Sequence, residues 1–214
     1  MMDGAIRALS GEPDITNAWD ELFRYFNQAY GNGDVGYQPG EKITIKVNLV
    51  GCIGILDGTL GGVDKNTYDL VSKIDYMNTS PQIMLALLRQ LVYVVEVNEA
   101  DIAIGDTLCY FPNQYYDICH DEFPNVRYLD YEGKFGRTAV QQSSTPMYWS
   151  NHPSAGNQDY VPVSYVEADY IINMANLKSH TSAAITLCGK NHYGSLVRWP
   201  GQGGLLRFTY NLGK

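Results

Sequence analysis

Between Lys178 and His192 the chain places Lys178, His180, Lys190, Asn191 and His192 within fifteen residues, although it has only four His and 15 Lys plus Arg in all. A lysine such as Lys190 can act as nucleophile, acid or anion clamp when burial lowers its pKa. His180 and His192 suit acid–base work or metal ligation. Asn173, Asn176 and Asn191, close by, can fix polar atoms of a substrate. The plain alternative is a polar, solvent-facing turn between a strand and a helix.

Elements of a particular kind must hold such groups. Asp169–Ala175, Asp-Tyr-Ile-Ile-Asn-Met-Ala, is an apolar run bounded by polar residues and reads as a buried strand leading into the cluster. Lys42–Val50 reads as another strand, with Ile43, Ile45, Val47 and Leu49 on one face and Thr44, Lys46 and Asn48 on the other. Were that second face covered, Lys46 would need a partner or a ligand; on an edge strand it would simply be solvated. Asp101–Thr107 reads as a third strand, with Asp106 at its carboxyl end, either facing a ligand crevice or capping the next turn. In an open α/β sheet, ligands bind beyond the carboxyl ends of the strands. Lys46, Asn48, Lys178, His180, Lys190 and His192 are therefore expected to converge on one pocket, where Asp106 or an anion offsets their charge.

The other elements follow from periodicity and punctuation. Asp3–Ser10 reads as a short helix stopped by Gly11, and Asp14 caps a second helix whose Ile15, Ala18, Trp19, Leu22, Phe23 and Phe26 share a face. Ser80-Pro81 opens the strongest helix, with Ile83, Met84, Leu87, Leu88, Leu91 and Val92 as its buried stripe. A short helix is expected over 115–123, and strands over 126–130, 137–140, 147–150 and 160–166, the last favouring an edge because of Pro162. Gly51, Gly54, Gly58, Gly61 and Gly62 crowd one loop that matches neither the dinucleotide nor the Walker pattern. Asp57, Asp64, Asp69 and Asp75 lack calcium-loop spacing and read as solvated acids, and His152 reads as a loop histidine. Strands alternating with helices argue for an α/β fold with a largely parallel sheet and flanking helices. The expectation is a single domain over 1–214, with long loops at about 51–79 and 133–158. The abrupt helical start and the lack of a full element after Asn211 suggest a domain incomplete at both ends, within a longer chain.

Composition limits the partners. With 214 residues and 45% hydrophobic content, the chain can bury a sizeable core. Its net charge of −8 and pI of about 4.9, with no basic run, argue against nucleic acid or an anionic membrane surface. No apolar run reaches the roughly 18 residues of a membrane helix. Cys52, Cys109, Cys119 and Cys188 form no Cys-x-x-Cys pair, so no iron–sulphur cluster is expected in this chain. They read as small buried residues, or as disulfides were the protein exported. Seventeen Tyr fit an extracellular setting or a surface for a polar ligand.

One stretch also carries a likeness. Residues 169–196, DYIINMANLKSHTSAAITLCGKNHYGSL, resemble the signature of the domain of unknown function family 362: an apolar strand, Asn-x-x-x-Leu-Lys-x-His, then Thr-Leu-x-x-Lys-Asn-x-x-Gly. KITIKVNLVG at 42–51 is similar to the family's Ile-Lys-x-Asn strand, and TSPQIMLALLRQLV at 79–92 to its helix, so the resemblance covers most of 40–196. It implies an α/β fold and, because some members occur in iron–sulphur proteins, a redox setting; the family's own activity is uncharacterised. The interval from His180 to Lys190, with Gly189 between, is also similar to a His…Gly…Lys stretch of the nickel-pincer lactate racemase family, without that family's Gly-Gly pair or its Asp-x-Thr-Arg-Pro motif. Together these features imply an enzyme acting on a small polar or anionic substrate through Lys190, His180 and His192. Lys46, Asn48, Lys178, Asn191 and Asp106 would bind the substrate, and the histidines are candidate metal ligands. The alternatives are a non-catalytic binding or structural protein and a redox module for an iron–sulphur partner domain.

Overall fold

The strand pattern at 43–47 holds on both faces. A computed structural model of the protein describes residues 2–53, 62–71, 77–147, 159–180, 184–192 and 194–197. In chain order its elements are α1 Met2–Ser10, α2 Ile15–Ala29, β1 Ile43–Val47, α3 Pro81–Tyr93, β2 Ile102–Gly105, α4 Asn113–His120, β3 Arg127–Asp130, β4 Thr138–Ala139, β5 Gln142–Met147, β6 Asp159–Pro162, α5 Val163–Val166, β7 Tyr170–Met174, β8 Lys178–His180, β9 Ala184–Thr186 and α6 Cys188–His192. Five strands form a parallel sheet in the order β4-β3-β2-β1-β7. Two antiparallel ribbons, β5-β6 and β8-β9, lie outside it. The largely parallel α/β fold expected from the sequence is the fold found.

β1 is interior, paired to β2 on one side and to β7 on the other, and all five of its residues are buried. Solvation of Lys46 on an edge strand is thereby corrected: its residue is 1% exposed. From β1 the chain steps through α3 to β2 and through α4 to β3, while β7 pairs on the opposite side of β1. The strand order thus reverses at β1/β7, the kind of switch point where α/β sheets open a crevice.

The two sheet faces are covered unequally. Ile43, Ile45, Val47 and Leu49 join the main core with Trp19 and Phe23 of α2, Met84, Leu87, Leu88 and Leu91 of α3, and Tyr115, Tyr116 and Cys119 of α4. The opposite face carries Thr44, Lys46 and Ala103, and a small cluster of Ala103, Leu129 and Tyr165 packs there beneath the single turn of α5. Thr44 Oγ1 donates to Ser164 O at 2.7 Å, tying that turn to β1. Gly105 keeps β2 close to β3: a Cβ there would lie 2.2 Å from Leu129 O.

The caps form as read. Asp14 accepts from the backbone N–H groups of Thr16 and Asn17, and Ser80 accepts from Gln82 with Pro81 in the first turn. Three expectations need correction. Ile83 is 49% exposed, whereas Gln90, two turns on along the same flank of α3, is buried and bonds Trp19 Nε1 and Asp3. The strand leading into the cluster is not buried; β7 is the sheet edge, and Ile171 is exposed. The strand read over 160–166 stops at Pro162, which starts α5. Of the strand read over 147–150, Met147 is the last residue of β5 and the rest lies outside the described residues. Most of the Gly-rich loop, with Gly54, Gly58 and Gly61, lies outside the described residues, as do Asp57, Asp75, His152 and Ser150. Of that loop Gly62 packs directly on Gly51, whose carbonyl oxygen would be 1.5 Å from an added Cβ.

The packing of α3 is testable by denaturant unfolding. Leu88→Ala empties a fully buried position and should cost about 2–5 kcal/mol, whereas Ile83→Ala should stay within about 0.5 kcal/mol of the parent. Equal losses at both positions would contradict the placement of the buried stripe.

Candidate functional site

Lys46 is the last but one residue of β1, in register with Gly105 of β2 and Asn173 of β7. One residue past Gly105, Asp106 comes level with its ammonium. Lys46 Nζ donates to Asp106 Oδ2 at 2.9 Å, to the Val47 carbonyl, and to Asn191 Oδ1 at 3.3 Å. The two ionic side chains are 1% and 7% exposed, a buried pair. Asp106 also accepts from Leu49 N at 3.1 Å and Leu108 N at 3.2 Å, so it both pairs with Lys46 and caps the turn. The two roles read for Asp106 from sequence are combined in one carboxylate.

Asn191, 2% exposed, joins α6 to the sheet. Its Nδ2 donates to Lys46 O at 3.2 Å and to Asn173 Oδ1 at 2.8 Å, while its Oδ1 accepts from Lys46 Nζ and from Asn48 Nδ2 at 3.2 Å. Two donors and two acceptor sites are the whole capacity of a side-chain amide. Asn173 in turn donates to Cys188 O at 2.8 Å. Asn48 Oδ1 accepts from Lys178 Nζ at 3.0 Å, and Lys178 also donates to Met77 O at 2.6 Å. Lys46, Asn48, Asp106, Lys178 and Asn191 thus form one connected network.

The remaining cations lie around this network. Burial first, then the charge of Lys190, lowers the Lys178 ammonium from 10.5 to about 8. His180, on the same hairpin strand, is lowered by loss of water and by Lys190 and Lys178. His192 is exposed on α6, its Nδ1 3.3 Å from Ser195 Oγ; partial loss of water and the charge of Lys46 lower it too. Both imidazoles are thus shifted toward their neutral form. The phenol of Tyr165 is buried on the same sheet face, and burial with Asp106 nearby pushes it up.

Several contributors were not singled out from sequence. Thr79 accepts from Asn48 N at 2.9 Å and donates to Met174 O at 3.2 Å, joining the ends of β1 and β7. Asn176, read from sequence as a group for polar substrate atoms, donates to the carbonyls of Met77 and Asn78. Thr107 donates to Gly194 O and to Leu196 O, holding the segment after α6. Thr79 stands next to the Ser80 cap, where Thr reads as loop chemistry, and nothing in the local pattern shows its partner 95 residues away.

The cysteines contribute no ligand cluster. None of the four forms a disulfide; Cys52, Cys109 and Cys119 are buried and Cys188 is exposed. Burial pushes the Cys109 thiol well above its ordinary range and Cys119 to about 12. With no disulfide, an extracellular setting gains no support from them. Among the described residues no three His, Cys, Asp or Glu side chains gather as a metal ion would require, which leaves His180 and His192 without support as metal ligands. No helix among the described residues is long and apolar enough to cross a membrane.

Residues 71–205 match the family described as Domain of unknown function (DUF362), well over half of the chain. The chain belongs to the DUF362 family. The match takes in α3, β2, β7, the β8-β9 hairpin and α6, and so Asp106, Lys178, His180, Lys190, Asn191 and His192. It begins after β1, so Lys46 and Asn48 lie outside it, although the KITIKVNLVG likeness extended to residue 42. No curated protein and no solved structure matches the chain, and the likeness to the nickel-pincer lactate racemase family has no support. The function of DUF362 proteins is uncharacterised.

The network makes a stability prediction. Asp106→Asn strands a buried ammonium and should cost about 3–5 kcal/mol, and adding Lys46→Met should recover part of that loss. Equilibrium unfolding of the two single variants and the double variant measures this; a double variant less stable than Asp106→Asn alone would refute a mutually dependent pair.

Proposed function

We propose that this DUF362 protein is an enzyme that holds a small anionic substrate at the carboxyl ends of β1 and β7 and exchanges a proton with it through Lys178. The observation that carries this reading is the Lys178 ammonium, lowered to about 8 in a half-buried position beside Lys190. An amine in that range is protonated often enough to act as acid and neutral often enough to act as base near pH 7–8. Lys190 supplies a fixed positive charge for the substrate's carboxylate or phosphate. His180 and His192, uncharged, donate or accept hydrogen bonds and relay protons. Lys46, Asp106, Asn48 and Asn191, first read as substrate ligands, spend their polar atoms on one another and hold Lys178 in place.

An acidic chain with a local cationic corner suits such a ligand. A bound anion would stabilise the charged form of Lys178, since opposite charges favour ionisation. The substrate would therefore raise the Lys178 pKa on entering, readying the amine to donate a proton.

Two measurements test this. With the lysines reductively methylated by a ¹³C reagent, the Lys178 signal should titrate near pH 8, and in Lys190→Met its midpoint should move up as a neighbouring charge is removed. Wild type should bind malonate or inorganic phosphate saturably by calorimetry, and Lys190→Met should bind about tenfold more weakly or worse. A Lys178 midpoint near 10.5, or no saturable binding of either anion, would refute the proposal.

The same shift has a sign in stability. Between about pH 8 and 10.5 the unfolded chain keeps a proton at Lys178 that the folded chain has released, so this residue adds stability as pH rises through that window. Wild type should therefore gain on Lys178→Met in urea midpoint from pH 8 to pH 10. An unchanged difference would show that the amine is not depressed in the fold.

A further inference from the structure

The sheet face that bears Lys46 also carries a separate cavity beside α5. A space of about 280 Å³ opens between β3, β4 and α5. Its apolar walls are Leu129, Val140 and Val163, and its polar groups include Arg127, Thr138 and Gln141. Arg127 precedes Leu129 by two in β3, so both side chains project from the sheet face that α5 covers. The Nε of Arg127 is buried without a hydrogen-bond partner, and its guanidinium makes no hydrogen bond or ion pair among the described residues. The other charged group on the lining, Glu167, is already engaged by Lys42 Nζ at 3.3 Å.

We propose that this cavity is a second ligand site, taking a small monocarboxylate whose short aliphatic body rests on Leu129, Val140 and Val163 while its carboxylate meets Arg127. A guanidinium is a planar set of donors that matches two carboxylate oxygens, and a buried donor without a partner is costly. A ligand that accepts from Nε and a terminal nitrogen together relieves that cost. The volume lies just below the roughly 300–1,000 Å³ of sites for drug-sized ligands, which fits a molecule with a few carbon atoms. An anion without an aliphatic body would leave Leu129, Val140 and Val163 uncovered. Phosphate is therefore the disfavoured anion here. The lining of this cavity shares no residue with the Lys178 network, so the two sites are independent.

The test is calorimetric titration of the full chain with sodium butyrate, and in parallel with inorganic phosphate, at constant ionic strength. Wild type and Lys178→Met should both bind butyrate saturably with equal affinity, and Arg127→Gln should bind it about tenfold more weakly or worse. Val140→Phe, which fills the apolar wall, should also abolish binding, so the site can be judged even if Arg127→Gln fails to fold. Equal affinity in Arg127→Gln or Val140→Phe, loss of butyrate binding in Lys178→Met, phosphate binding that survives Lys178→Met and competes with butyrate, or no saturable butyrate binding at all would each overturn the proposal.

Discussion

The buried pair between Lys46 and Asp106 is the constraint around which this end of the molecule is arranged. Removing an ammonium and a carboxylate from water costs several kcal/mol each, and mutual attraction repays it only when the remaining hydrogen-bonding capacity is also met. Here it is met by Leu49 N and Leu108 N on the carboxylate, and by the Val47 carbonyl and Asn191 Oδ1 on the ammonium. The first three belong to β1 and to chain adjoining β1 and β2. The fourth comes from α6, more than 140 residues later. A five-residue helix is far too short to be stable by itself, so its position depends on such tertiary bonds.

That dependence links the charge pair to the candidate chemistry. Asn191 fixes α6, and α6 carries Lys190 and His192. Asn48, bonded to the same amide, fixes Lys178 on the neighbouring hairpin. The groups most able to act on a ligand are therefore held by a layer of side chains that are themselves fully engaged, an arrangement suited to fixing reactive groups in place. The unequal covering of the sheet makes room for it. One face is packed by α2, α3 and α4 into the main core, while the other has, among the described residues, the short α5 and α6 over it. Both the lysine-rich corner and the Arg127 cavity lie on that thinly covered face.

Membership of the DUF362 family divides the site in an informative way. The matched stretch contains the partner carboxylate, the amide hub and every group proposed to touch substrate, while β1 with Lys46 and Asn48 comes before it. The strand that completes the network is thus supplied by chain outside the match. Its register with β2 and β7 places Lys46 between Gly105 and Asn173.

The sequence by itself determined the elements and the chemistry available to them. Alternation at 43–49, the Ser80-Pro81 cap, the Asp14 cap and the repeated strand–helix order are local signals with local physical causes, and they gave the α/β class and most of the strands. The bunching of Lys178, His180, Lys190, Asn191 and His192 was likewise visible, because it is a matter of composition. Tertiary structure decided everything that depends on who lies beside whom. Whether Lys46 was a solvated edge residue or a buried one depended on β7 pairing with β1, a contact more than 120 residues away in sequence. Along one flank of α3, Gln90 was buried by meeting Trp19 and Asp3 while Ile83, two turns earlier, stayed exposed despite its hydrophobic side chain. Which polar residues are buried in the Lys46 network and which lie around it followed from hydrogen-bond partners, and periodicity carries no information about partners across the sheet.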